Sequence, residues 1–168
     1  MLRFRTITWE DPAPTRIGGG ARSGLDLWRA IAAGELPPPP LARLLGFDRI
    51  EEVEEGRIVF AMEAAEEHAN PLGTVHGGVL TTLLDSAMGC AVHTTLPAGA
   101  HFTTLELKVN FVRAVRPGSG VMRAEGHVVH RGGTTAVAEA SVTDADGRLV
   151  ARATSTCLLR DGAARAAA

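Results

Sequence analysis

The chain has 168 residues, 45% of them apolar and 21% charged, with a formal net charge of −2; this is one domain's worth of material, able to bury a core without disulfide or metal staples. The composition excludes a disordered chain. With no basic surplus, no tyrosine and 4% aromatic residues it offers nothing to nucleic acid.

The N-terminal segment MLRFRTITWEDPAP lacks the apolar run of a signal peptide, and no stretch reads as a membrane span. The expected compartment is therefore the cytoplasm. Cys90 and Cys157, both in apolar surroundings, are expected as buried reduced thiols. Residues 1–22, rich in Pro, Gly and Arg, read as a loose arm. Residues 23–46 hold two short helices. Leu25, Leu27, Trp28 and Ile31 give the first an apolar stripe, with Ser23 as N-cap and Gly34 after its end; LARLLGF gives the second, stopping at Gly46. The main domain is expected over 47–160. It begins with a hairpin turning at Glu54–Gly56, with Ile58, Phe60 and Met62 on one face and Arg57, Val59 and Ala61 on the other.

EEHANPLGT is a loop, broken by Asn70–Pro71 and Gly73. From His76 to about His93 the period becomes helical: Val79, Leu80, Leu83, Leu84, Ala87, Met88, Ala91 and Val92 make one stripe, and Thr81, Thr82, Asp85, Ser86 and Gly89 the other side. The small residues there would let a second helix approach. Four strands follow, read as a meander joined by RPGSG, RGG and DADG turns. In the first, strict alternation puts Leu105, Leu107, Val109 and Phe111 on one face. Residues 161–168 read as a frayed tail. One helix on an antiparallel sheet is an α+β arrangement, and a single helix leaves sheet uncovered, which argues for a dimer.

The string NPLGTVHGG followed by LLDSAMG resembles the signature of the phenylacetate-pathway (PaaI-type) acyl-CoA thioesterases of the hotdog-fold superfamily, and the resemblance spans about residues 41–160. It implies a curved antiparallel sheet wrapped around one long central helix, hydrolysis of an acyl- or aryl-CoA thioester (EC 3.1.2.-), no cofactor beyond the coenzyme A of the substrate, and dimers that pair further into a homotetramer. Two other classes compete with this one. A hotdog hydratase or dehydratase of the MaoC type needs Asp-x-x-x-x-His, and here Cys90 stands five residues after Asp85. A non-catalytic acyl-CoA-binding domain lacks any visible output element.

The residues suit thioester hydrolysis. Gly77 and Gly78 open the helix, where unpaired N–H groups and the helix dipole favour negative charge, so the Gly77 N–H can stabilise an oxyanion while glycine admits a close ligand. Asp85 lies about 12 Å further along the axis, too far to serve its own helix N-terminus. Antiparallel helices from two subunits would bring Asp85 of one to Gly77 of the other, as general base or as nucleophile. The resemblance gives Asn70 the orientation of water or thioester, and Thr104 a place near the attacking water; His76 is a donor to the thioester or a loop fastener. Phe111 and Met88 are expected to line the acyl pocket. His130, Arg131, Gly132, Gly133 and Thr134 are expected to receive the nucleotide arm, with Arg131 on phosphate. His127 and His130, three apart on a strand, are expected on opposite faces, and no metal site is expected.

Overall fold

In the computed structural model, which describes residues 1–16 and 21–161, helix α3 (Gly77–Thr94) lies against a six-stranded antiparallel sheet. The helical stripe behaves as its spacing requires: Leu80, Leu83, Leu84, Ala87, Met88, Ala91 and Val92 are each 4% exposed or less. Burying side chains of the Leu and Met size contributes about 1.5–3 kcal/mol each, so this stripe is what fixes the helix on the sheet. The helix crosses β4 so closely at Gly126 that a Cβ there would overlap the Ala87 carbonyl. Only glycine admits that crossing, and it sets the depth of the core.

The strands are β1 (Arg49–Glu54), β2 (Arg57–Glu63), β3 (His101–Phe111), β4 (Val121–Arg131), β5 (Thr135–Thr143) and β6 (Leu149–Arg160), in the order β1-β2-β4-β5-β6-β3. The β1–β2 hairpin and the β4–β5–β6 meander stand as read. The four-strand meander does not. β3 pairs with β6 and not with β4, because residues 112–120 are a long crossover and RPGSG is not a hairpin turn between neighbouring strands. The eleven-residue β3 is thereby an edge strand.

Strict alternation in β3 also fails. Pairing with β6 shifts between Thr104 and Glu106, leaving Leu105 as a bulge residue, 57% exposed. A bulge moves every later side chain to the opposite face. Phe102 and Thr104 before it, and Leu107 and Val109 after it, all pair with inward residues of β6, namely Leu159, Cys157, Ser155 and Ala153. A second bulge, at Val129 in β4, leaves His130 paired with Val137 and Arg131 with Ala136. His127 pairs with Glu139, two residues from Val137 on the outer face. His127 and His130 therefore share a face, contrary to the plain strand count.

Gly89 does not admit a neighbouring subunit. A Cβ there would stand 2.6 Å from the Phe102 ring of the same chain, so the open side of α3 is confined to the stretch from Gly77 to Ser86, at Gly77, Gly78, Val79, Thr81, Thr82, Asp85 and Ser86.

Helix α1 (Gly24–Ala32) starts on Ser23, whose Oγ accepts from the Asp26 N–H, and Gly34 follows its end with φ +75°. Helix α2 (Pro40–Leu45) ends on left-handed Gly46. The Trp28 indole N–H donates to His93 Nδ1 at 3.0 Å, fastening α1 to the last turn of α3. Residues 1–16 are less loose than their composition indicates: Arg3 pairs with Glu66, and Arg5 with Glu67 at 2.6 Å. Residues 17–20 of the arm, and residues 162–168 of the expected tail, lie outside the described residues.

Burial lowers the His93 pKa from 6.5 to about 4. Because the unfolded chain takes up this proton near pH 6.5 and the folded chain only near pH 4, stability is complete above about pH 6.5 and is lost as pH falls through that window. The loss is expected to reach about 2 kcal/mol by pH 5. Urea midpoints at pH 7 and pH 5 test it: His93→Gln, which keeps an acceptor for Trp28, should flatten the pH dependence, and an unchanged dependence would assign it elsewhere.

Candidate active site

Two clusters sit at different heights on α3. The first surrounds its N-terminus. Asn70 Oδ1 accepts from the N–H groups of Leu72 (2.9 Å) and Thr74 (3.2 Å), and its Nδ2 donates to Thr74 Oγ1 at 3.0 Å. The amide thus folds its own loop, an Asx-type turn that Asn favours, and its oxygen is occupied there. His76 is the helix N-cap. Its backbone N–H donates to the His68 carbonyl at 2.8 Å, and its Nδ1 accepts from the Gly78 N–H at 2.8 Å. That leaves the two glycines unequal. The Gly78 N–H is used, whereas the Gly77 N–H has no partner among the hydrogen bonds of the described residues.

The Phe111 ring lies over Gly77: a Cβ on Gly77 would stand 3.0 Å from Phe111 Cζ. Beside them is an open cavity of about 320 Å³, lined by Asn70, Gly77, Leu80, Phe111, Arg113 and Val115 among others.

The second cluster surrounds Asp85. The half-buried carboxylate accepts from Thr104 Oγ1 at 3.0 Å through Oδ1. This contact exists because of the Leu105 bulge, which lets Thr104 face inward on the same strand as Leu107. Ser155 Oγ secures the bulge by donating to the Glu106 carbonyl at 2.8 Å. Burial pushes the Cys90 thiol well up, and the Asp85 charge adds to it; burial also pushes up Cys157, which pairs with Thr104. Raised thiols stay protonated and are poor nucleophiles.

Arg131, Ala136, Cys157 and Thr104 form one cross-strand row over β4, β5, β6 and β3. Three strand spacings place Arg131 about 14 Å from Thr104, and the Val129 bulge turns it to the Thr104 side of the sheet. The β4–β5 turn beyond it is held by the Gly132 N–H to the Thr135 carbonyl and the Leu159 N–H to the Thr134 carbonyl, both 2.8 Å. Apart from its chain neighbours, no heavy atom lies within 4 Å of a Cβ placed on Gly133, so that side of the backbone has open space.

Within one chain, then, the structure gathers Asn70, His76, Gly77, Gly78 and Phe111 at one place. Asp85 and Thr104 stand at a second, with Arg131 to Thr134 along the same row. His130 points to the other face of the sheet. Buried Met88 belongs to the core. Sequence reasoning missed Thr74, which completes the Asn70 turn, and Arg113, which lines the Gly77 cavity; a cation two residues after the expected pocket residue Phe111 was the available signal. Among the described residues no cluster of three His, Cys, Asp or Glu side chains could hold a metal ion, and no helix is long and apolar enough to cross a membrane.

The family model described as the thioesterase superfamily matches residues 72–151. Human acyl-coenzyme A thioesterase 13 is 29% identical over 111 residues, which is 66% of this chain and 78% of that protein. The phenylacetic acid degradation-related protein of Ralstonia eutropha JMP134 superposes with a TM-score of 0.71 at 32% identity, covering 78% of this chain and 98% of the other. A hypothetical thioesterase of Streptococcus pneumoniae TIGR4, crystallised with coenzyme A, superposes with a TM-score of 0.63 at 31% identity, covering 67% and 85%. With the hotdog sheet and helix in place, the chain belongs to the thioesterase superfamily.

Proposed function

We propose that this protein hydrolyses acyl- or aryl-CoA thioesters to a free acid and coenzyme A at a site shared by two copies of the chain. The observation that carries the reading is the division of one helix. The unpartnered Gly77 N–H and the Thr104-held Asp85 lie on the same α3, yet about 12 Å apart along it. An Asp side chain cannot bridge that distance. A two-fold axis through Thr81, midway between them, sets each Asp85 against the other Gly77 on antiparallel helices. The same axis passes between Leu107 and Lys108, midway between Thr104 and Phe111. It therefore pairs the two β3 edges antiparallel and satisfies their free backbone groups. The two midpoints coincide because Thr104 contacts Asp85 and Phe111 lies over Gly77, and the open side of α3 there carries small or polar side chains beside the half-buried Val79.

In this site the thioester carbonyl accepts from Gly77 N–H. Asp85 of the partner subunit, fixed by Thr104 of the partner subunit, takes a proton from water as the water oxygen bonds to the carbonyl carbon. The negative charge on the carbonyl oxygen is held by the N–H and the helix dipole. Collapse breaks the C–S bond, coenzyme A leaves as thiolate, and the proton held by Asp85 is returned to it. His76 and Asn70 keep the Gly77 loop in shape. The glycine turn and Arg131 of the partner subunit receive the nucleotide arm. No cofactor is needed. Two such dimers pairing further give the expected tetramer, and two free, buried cysteines suit a reducing, cytoplasmic compartment.

A free-thiol assay over straight-chain, branched and aromatic CoA thioesters tests the activity. Release of coenzyme A from at least one class, with the matching carboxylic acid as product, is expected. Binding without release throughout would move the protein to the non-catalytic class.

A further inference from the structure

The Gly77 cavity carries a charge that hydrolysis of a plain acyl chain does not use. Among the residues lining it, Arg113 is the one ionisable side chain, and no carboxylate lines it. Arg113 makes no ion pair among the described residues. Arg116, three residues on, lines a separate hollow with Asp144, Asp146 and Arg148, where Arg148 pairs with both aspartates. Some surface arginines are matched, as Arg57 is with Glu52 and Glu125 and Arg152 with Glu139; Arg113 differs from the other unmatched ones in lining the Gly77 cavity. Arg113, an unpartnered Gly77 N–H and the positive end of an eighteen-residue helix thus border one hollow whose other walls are apolar at Val75, Leu80, Phe111 and Val115 and polar at Asn70 and Thr74.

Arg113 stands where the β3 strand leaves the sheet. Both its own N–H and that of Val112 donate to the Val150 carbonyl, at 3.0 and 2.8 Å, which fixes the backbone that carries it.

We infer that Arg113 pairs with an anionic group on the substrate, and that this group is a carboxylate at the far end of the acyl chain, so that the preferred substrates are CoA esters of dicarboxylic acids. The inference rests on the thioesterase reading. The direction follows from the shared site: the nucleotide arm runs toward Arg131 of the partner subunit, on the side of Asp85 and Thr104, which leaves the cavity behind Gly77 to the acyl group. An apolar wall ending in one cation fits a short methylene chain ending in a carboxylate. Coenzyme A phosphate is the other source of the same charge.

The test compares kcat/KM for glutaryl-CoA and succinyl-CoA with that for hexanoyl-CoA and butyryl-CoA, in the full-length protein and in Arg113→Gln and Arg113→Lys. Loss of a charge-assisted pair should lower the dicarboxyl-to-monocarboxyl ratio by about tenfold or more in Arg113→Gln, with part of the ratio kept in Arg113→Lys. An unchanged ratio overturns the inference and leaves the thioesterase reading standing. An equal loss over all four esters, with weaker inhibition by free coenzyme A, places phosphate on Arg113 and overturns it as well. If no ester is cleaved, the thioesterase reading fails, and binding decides the residue. In that case a carboxyalkyl thioether of coenzyme A should bind the unsubstituted protein about tenfold tighter than it binds Arg113→Gln, and equal binding overturns the inference.

Discussion

Asp85→Asn is expected to lower kcat for CoA release by about 10²- to 10⁴-fold, with a much smaller change in KM. Asparagine keeps the size of the side chain and can still accept from Thr104 Oγ1, so the 3.0 Å contact that positions residue 85 survives. What goes is the capacity to take a proton from water. The split between kcat and KM separates this role from a structural one, because a merely structural acid would instead show itself as a lowered thermal midpoint. An Asp85→Asn protein with ordinary kcat would remove the general base from the proposed mechanism. Thr104 acts through Asp85, so its loss should cost less than the loss of the carboxylate itself.

The second large effect concerns the sharing of the site. Gly77→Val places a branched side chain where the Phe111 ring already stands 3.0 Å from a Cβ position, closing the approach to the Gly77 N–H. Alone it should be nearly inactive, as should Asp85→Asn. When the two variants are produced together, each mixed dimer holds one site with both defects and one with neither. Random pairing makes half the dimers mixed, so about a quarter of the unsubstituted activity per site should return. Differently tagged chains let the mixed dimer be isolated, where about half should return. Activity no higher than the sum of the two parents would put Gly77 and Asp85 to work in the same chain, which the helix length forbids for direct contact, and the shared site would have to be abandoned.

Much of this was legible in the residues because it depends on local physics. The apolar stripe of α3 declares a helix whatever surrounds it. Gly77 after His76 declares its start, since a side-chain acceptor at the N-cap and glycines behind it suit the unpaired N–H groups of a first turn. The eight-residue step from Gly77 to Asp85 already separates them in space. Ser23 and Gly34 mark the ends of α1 for the same local reasons.

The misreadings share one cause. RPGSG has the composition of a hairpin turn, yet β3 pairs with β6. Pairing is chosen by which edge the chain can reach and cover, not by the turn residues alone. A bulge has no composition of its own, so period-two counting makes Leu105 one more inward leucine and sets His127 and His130 on opposite faces. Gly89 looked like room for a partner helix and is filled by Phe102.

What the sequence by itself determined is the inventory and its order along α3: a donor at the helix start, an acid two turns on, and the hairpins that supply a sheet. The tertiary structure decided which of these meet. Period-two counting would turn Thr104 and Arg131 outward. One extra residue in β3, at Leu105, and one in β4, at Val129, bring both to the side that Asp85 occupies. A single-residue shift in strand pairing reverses every later side chain at little local cost. Only the neighbouring strand, through backbone pairing between residues distant along the chain, determines whether it occurs.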